Sequence, residues 1–288
     1  MLISRRAIFW LVLPAFLIIT VGLVGPLLWL FYFSLLSSDA GIPTSKILTT
    51  ANYARLFSDF HVLAVYGNTF KVSIYVTFFA VVFGYPLATW IAKLKGRKSA
   101  ILTLVVISPL LVSIVITSYG WLVVLGTNGI VNKSLMTLGL INQPVKWLYS
   151  TLAIVIGLTH IVLPFMVLSL LSALEKIDSN VIEAAAVLGA KPFKQFYYVT
   201  LPLSLPGLIS GITLSFTICM SAYVTPAVLG PSGPQFITTL IFNQFVTFFD
   251  WGMGSSMAIA LFLLGMGLVF LFLKAAYRYG GVAAGGQI

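Results

Sequence analysis

Long stretches without any charge dominate the chain. Residues 7–38, 72–92, 99–132, 147–174, 195–249 and 251–273 contain no Asp, Glu, Lys or Arg. A helix needs about 20 apolar residues to cross ~30 Å of hydrocarbon, so each stretch can span a membrane. The longest has Pro202 and Pro206 at its start and Pro226, Gly230, Pro231, Gly233 and Pro234 across its middle. It therefore predicts one span from Pro206 to Leu229, then an outer loop apolar enough to dip into the bilayer. Six spans follow, at about 8–35, 69–92, 101–126, 148–174, 206–229 and 253–273. The first begins just after Arg5 and Arg6, like a signal peptide. Its apolar run far exceeds the ~7–15 residues of a signal core, so an uncleaved span is expected.

Lys and Arg resist export and so set the expected orientation. With the N-terminus inside, Arg5, Arg6, Lys93, Lys95, Arg97, Lys98, Lys176, Lys191, Lys194, Lys274 and Arg278 are cytoplasmic. Lys46, Arg55, Lys71, Lys133 and Lys146 are then outside. This split, eleven against five, predicts that both termini are cytoplasmic. Composition removes other classes. The chain is 60% hydrophobic and 8% charged, whereas soluble domains carry about 25% charged residues. A net charge of +10 does not point to nucleic acid, because the cations sit in short clusters between apolar runs. The single Cys219 excludes a disulfide framework and Cys-rich metal sites. Well inside the spans, His160 is the one ionisable group; Lys71 lies near an outer mouth, where its stem can snorkel. Ion-coupled carriers use intramembrane acids or His relays, so energy is expected from another chain. No Walker motif, Ser–His–Asp arrangement or carboxylate pair appears, and the chain is not expected to be an enzyme.

The segment 175–205 carries more information than any other loop. Asn180 and Glu183 have N-cap and capping-box spacing, and Ile177, Val181, Ala185 and Leu188 share a helical face. Gly189 suits the left-handed position that closes a helix. Pro192 suits the first turn of a second helix, which Pro202 is expected to end before span five. Helix, elbow and helix make a knob whose Ala184, Ala185 and Ala186 admit a close partner backbone. From the residues alone this is either a docking surface or a loop packed on its own bundle.

Glu183-Ala184-Ala185, Gly189, Val199 and Leu201-Pro202 stand in the register of the EAA loop of ABC importer permeases, with Val199 in place of Ile. The resemblance covers most of the chain. Asn52-Tyr53, Leu56-Phe57 and Asn68-Thr69 resemble the segment leading into span two, and Gly84-Tyr85-Pro86-Leu87-Ala88 resembles that span's interruption. Tyr119, Trp121, Gly126, Gly129, Asn132 and Gly139 are similar to the third span and the loop after it. Ala222-Tyr223-Val224-Thr225-Pro226 and Asp250-Trp251 look most like the spermidine/putrescine branch.

That resemblance implies an all-α integral membrane protein of type I, with six transmembrane helices and a cytoplasmic two-helix coupling loop. Residues 1–67 would hold the first span and an outer loop, 68–275 the permease core, and 276–288 a cytoplasmic tail. Glu183, Ala184, Ala185, Gly189, Leu201 and Pro202 would couple to the ATPase. The implied partners are a cytoplasmic ATPase dimer, a second and distinct permease, an external solute-binding protein and the lipid bilayer of a bacterial inner membrane, but no nucleic acid. This chain would hold no cofactor; ATP and Mg would serve the partner ATPase. Polyamine is the implied substrate, with phosphonate, ferric iron or sulfate as alternatives and an ion-coupled carrier as a further one.

Other features carry two readings each. Gly207, Gly211 and Ser215 form a small face for helix packing, with a second permease as one candidate partner. His160, beside Pro164, is expected to be a hydrogen-bonded structural residue rather than a metal ligand. Pro86, Pro109, Pro164 and Pro226 either line a path through broken helices or are ordinary membrane prolines. Tyr119, Trp121, Trp147, Tyr149 and Trp251 suit an interfacial belt or cation–π contact with a cationic substrate. Tyr119, Trp121, Tyr223, Thr225, Asp250 and Trp251 are the candidate substrate path. Asp250, with no Lys or Arg in its loop, either meets an ammonium group or caps span six.

Overall fold

The computed structural model describes residues 5–37, 48–231 and 233–284; Lys46 and the rest of 38–47 lie outside the described residues. In chain order the helices are α1 (Arg5–Ser34), α2 (Ala51–Ser58), α3 (Phe60–Lys93), α4 (Arg97–Ile107), α5 (Ile114–Val124) and α6 (Ile130–Thr137). They continue as α7 (Thr151–Leu174), α8 (Ser179–Val187), α9 (Pro192–Gln195), α10 (Leu201–Met220), α11 (Val224–Leu229), α12 (Ile237–Val246) and α13 (Trp251–Ala284). Among the described residues the β structure amounts to an isolated bridge between Leu36 and Leu48. The chain divides into two compact units, Met1–Leu63 with Leu240–Leu263 and Ala64–Thr239 with Leu264–Ile288.

Among the described residues, five apolar helices are long enough to cross a membrane: Phe16–Ser34, Phe60–Lys93, Thr151–Leu174, Pro192–Met220 and Trp251–Lys274. The third expected span, 101–126, is not one helix. Arg97–Leu111 and Ile114–Val124 meet at 96°, so the count is five, or six if this bent pair is one span. Pro109 has no N–H to give the carbonyl of Val105. The Ser108 hydroxyl donates to that carbonyl instead, at 2.8 Å. Val112 then turns extended (ψ 139°), and Ser113 (ψ 135°) opens α5. Span five also differs. Its helix ends at Met220, and Val224–Leu229 is a separate short helix.

Pro202 does not end the helix before it. Residues Phe196–Thr200 widen into a π-turn, in which Leu201 N–H donates to the Phe196 carbonyl. A proline needs room where its ring meets the carbonyl four residues back, and the wider turn lets the helix run on from Pro192 to Met220.

In the second unit the core sits on α7, which Ser150 opens by accepting from Ala153 N–H at 3.3 Å. Ala153, Ile154, Leu158, Val162, Met166, Val167 and Leu170 are all buried. The expected small face on α10 packs here, against α7 of the same chain. A Cβ on Gly207 would lie 2.5 Å from Ala173 Cβ and 2.6 Å from Ser169 O. On Gly211 it would lie 2.7 Å from Met166 Sδ. Gly84 on α3 faces the same Met166, whose Cγ would be 2.8 Å from an added Cβ. Met166 thus fills the space between glycines on two helices, which lets three backbones approach closely. Outward faces stay apolar, as hydrocarbon solvent requires: Phe78, Phe83, Leu104, Leu263 and Phe270 are each more than half exposed.

Two asparagine-centred knots hold the loops. Asn132, buried, donates to the carbonyls of Gly126, Thr127 and Val145 and accepts from Val145 N–H and Trp147 Nε1. Asn68 donates to Gln235 O at 2.9 Å, and the hydroxyl of Thr69 accepts from Ile237 N–H at 3.0 Å, where α12 begins. Thr69 therefore accepts one of the N–H groups that a helix start leaves open, while Asn68 holds the carbonyl just before it.

Gly207→Leu should lower the thermal stability of the purified chain by the ~1–3 kcal/mol typical of overpacking. Gly265→Leu, where no atom lies within 4 Å of an added Cβ, should leave the melting temperature unchanged in the same detergent assay. Equal melting temperatures for the two variants would remove α7–α10 contact as the packing constraint.

Candidate functional site

The loop 175–205 does form two short helices joined by an elbow. Its N-cap is Asp178, not Asn180: the Asp178 carboxylate accepts from Asn180 N–H at 2.9 Å. Both side chains suit a cap, but the turn after α7 is completed by Lys176 and Ile177 N–H bonds to Ala173 and Leu174, so the helix starts earlier. Glu183 then stands in the second turn of α8, outside the capping box, and is exposed. Gly189 has φ +82°. Its N–H donates to Ala186 O and that of Ala190 to Ala185 O, the paired bonds of a Schellman close. Pro192 occupies the first turn of α9, and Gln195 Nε2 locks the elbow by donating to Ala190 O at 2.7 Å.

The knob leaves its largest apolar side chains outside. Val187 is 89% exposed, Leu188 88% and Phe193 77%. Glu183 lies one helical turn before Val187, where i, i+4 residues are neighbours. Ala184 is exposed, Ala185 half-buried, and Pro202 exposed, whereas Leu201 packs against the core. The sequence left open whether this loop packs on its own bundle; these three side chains do not.

A polar cluster in the second unit joins α5, α7 and α11. Ser118, buried, donates to Ile114 O at 2.8 Å, so it accepts from the hydroxyl of buried Thr225, 3.0 Å away. Close packing of α11 on α7 is permitted by Gly157, where a Cβ would lie 2.7 Å from Leu229 Cδ1. Trp121 Nε1 donates to His160 Nδ1 at 3.4 Å, with the rings edge-on at 5.7 Å. His160 has the hydrogen bond expected of a structural residue. Tyr119 is exposed on α5, and Tyr223 stands at the position just before α11, without a side-chain cap bond to it.

The first unit gathers around Asp250 and Trp251. Asn52 Nδ2 donates to the carbonyls of Ser34 and Leu36, at 3.0 and 2.8 Å, closing the C-terminus of α1. Three residues along α2, Arg55 pairs with Asp250 Oδ2 at 3.3 Å. Asp250 is thus a paired carboxylate, despite the lack of cations in its own loop. Its Oδ1 also accepts from Met253 N–H at 3.0 Å, capping α13, an arrangement worth ~1 kcal/mol. The Arg55 side chain is 55% exposed, so the ion pair itself adds ~0–1 kcal/mol. Trp251 lies between Phe33 and Phe245, at ring distances of 5.9 and 5.5 Å. Nothing in the spacing of the sequence links Arg55 to Asp250. Beside Asp250 and Trp251, which the sequence singled out, Asn52 carried a signal through its place in the resembling Asn52-Tyr53 pair, and Arg55 carried none.

Among the described residues no group of three or more His, Cys, Asp or Glu could hold a metal ion.

Comparison with known proteins sets these features in context. Residues 80–278 match the family described as the binding-protein-dependent transport system inner membrane component. The chain is 31% identical, over 93% of its length and 89% of the other's, to the spermidine/putrescine transport system permease protein PotB of Haemophilus influenzae. It is 32% identical to PotB of Escherichia coli K12, over 93% and 94% of the two chains. The fold is shared with a chain from the crystal structure of a bacterial alginate ABC transporter bound to a pentasaccharide-loaded periplasmic protein. That likeness has a TM-score of 0.77 at 17% identity and covers 94% of each chain.

Proposed function

The chain belongs to the family of binding-protein-dependent transport system inner membrane components, and on that premise we propose that it is the permease of an ABC importer that carries a polyamine inward. The observation that carries the substrate is the likeness to PotB along 93% of the chain. In this reading spermidine or putrescine arrives on an external binding protein. Two permeases, this chain and a distinct homologue, alternate between outward and inward openings. A cytoplasmic ATPase dimer, using Mg and ATP, drives the change.

The loop 175–205 is the ATPase-coupling element, within a permease core of 68–275. Exposed Val187, Leu188 and Phe193 support this, since burying each in a partner's groove is worth ~1.5–3 kcal/mol. Glu183, Ala184, Ala185 and Gly189 shape that surface, while Leu201 and Pro202 join it to α10. The substrate meets one station in each unit: Asp250 and Trp251 in the first, Tyr119, Trp121, Tyr223 and Thr225 in the second. At Asp250 an incoming ammonium replaces the guanidinium of Arg55, which is exposed enough to swing away. The membrane is the bacterial inner membrane, with both termini and the coupling loop on the cytoplasmic side; the distribution of Lys and Arg supports this orientation.

Orientation is checked with Cys219→Ala protein carrying Ser99→Cys or Asn142→Cys. An impermeant thiol reagent should reach Asn142→Cys from outside intact cells and Ser99→Cys only from the cytoplasmic side; labelling from one side for both overturns it. Substrate is checked in vesicles holding the complex, with binding protein saturating. ATP-driven spermidine uptake is expected, falling roughly tenfold in Asp250→Asn, as losing a charged contact of ~1.5 kcal/mol implies. Arg55→Met should transport at least as well as wild type. Unchanged uptake in Asp250→Asn leaves that carboxylate as a cap only, and a binding protein that retains phosphonate, sulfate or ferric iron excludes polyamine.

Coupling has its own variant. Gly189→Val places a β-branched residue at φ +82°, which costs at least ~1–2 kcal/mol and reorients α8 against α9. Membrane levels should stay normal while ATP-driven uptake is lost, and Glu183→Lys should act in the same direction. Normal uptake in both variants would exclude the loop from coupling.

A further inference from the structure

The interruption expected at Gly84–Ala88 does not form, since α3 runs unbroken from Phe60 to Lys93 through Pro86; beside that proline, one buried side chain that no role above uses touches the coupling segment. Tyr85 is 7% exposed, and its hydroxyl lies 2.6 Å from Ser204 Oγ on α10. Ser204 gives its own hydrogen to Leu201 O at 3.1 Å, so the tyrosine is the donor between them. The Tyr85 ring stands edge-on to Phe196, centroids 5.3 Å apart at 85°, a favourable aromatic geometry. Phe196 opens the π-turn Phe196–Thr200. Helices α8 and α9 pack on each other and on that turn. A displacement of the knob therefore reaches the membrane helices through the residues that hold Tyr85.

The surroundings suit a lever. On one side Gly84 is pressed against Met166 of α7, with no room for even a Cβ. On the other, a groove of about 450 Å³ opens beside Val81, Tyr85, Pro86, Phe196 and Leu201. Pro86 removes the N–H that would tie α3 to its preceding turn, so the helix bends most easily here. π-turns inside α-helices are rare and recur at functional sites.

We propose that Tyr85 is a positioning residue of the transport cycle: held by Ser204 and Phe196, it makes movement of the coupling loop rotate α3 about the Gly84–Met166 contact. This rests on the coupling reading of 175–205.

The test uses the full complex in vesicles, recording ATP hydrolysis and spermidine uptake together for Tyr85→Phe, Ser204→Ala and the double variant. Tyr85→Phe keeps the ring on Phe196 and deletes only the hydroxyl; if it fails to assemble, Ser204→Ala carries the same measurement. Assembly, melting temperature and hydrolysis without binding protein should stay at wild-type levels. Spermidine carried per ATP should fall about fivefold in each variant, and no further in the double variant, as expected of two ends of one contact. A wild-type ratio in both single variants overturns the proposal. So does a parallel loss of melting temperature, hydrolysis and uptake at constant ratio, which marks a purely structural contact. If Gly189→Val also leaves uptake per ATP unchanged, the coupling reading falls as well; if Gly189→Val uncouples while Tyr85→Phe does not, Tyr85 alone is excluded.

Discussion

A proline in a helix that crosses hydrocarbon leaves a carbonyl without its donor, and no water stands by to replace it. This chain carries that problem at Pro14, Pro26, Pro86, Pro109, Pro164, Pro202 and Pro206, and two of these cases show how differently it is met. At Pro109 the preceding Ser108 hydroxyl takes over the freed carbonyl of Val105, and the helix can stop and turn by 96°. Before Pro202 the helix widens into a π-turn and continues. One proline thus ends in a bend and another in a joined helix, although both lie in uncharged, apolar sequence.

The same economy governs packing. Lipid tails are as apolar as leucine, so helices gain little from hiding hydrophobic surface and more from close backbone contact. Gly84, Gly207 and Gly211 supply that contact around Met166. Contacts this tight seat α3 and α10 closely on α7, with no space for an added methyl group between them. The knob at 179–195 is built on the opposite rule. It buries almost none of its apolar side chains, and its elbow is locked by backbone bonds and by Gln195 instead of by a core. A rigid, uncovered apolar knob is suited to take up force from a partner.

Around Asp250 the local and the tertiary roles of one side chain coincide. One carboxylate oxygen caps α13 and the other holds Arg55 of α2, so the charge is stabilised without being fully withdrawn from solvent. Each oxygen of this carboxylate thus has its own partner within the folded chain, one a backbone donor and the other a cation.

The sequence by itself determined the class of protein, by its fixed spacings and composition, five of its apolar helices and the elbow at Gly189. Each is a local matter: hydropathy over a span, the φ a residue can adopt, or fixed spacing along one segment. It misplaced the cap at Asp178 by two residues, because Asp178 and Asn180 have equal local claims and the end of α7 decides between them. It could not tell that Pro109 bends a span while Pro202 does not, since that depends on which neighbouring donor or wider turn takes up the freed carbonyl. Nor could it join Arg55 to Asp250, Ser118 to Thr225 or Tyr85 to Ser204. Those pairs are 195, 107 and 119 residues apart, and only the packing of whole helices brings such side chains within hydrogen-bond reach.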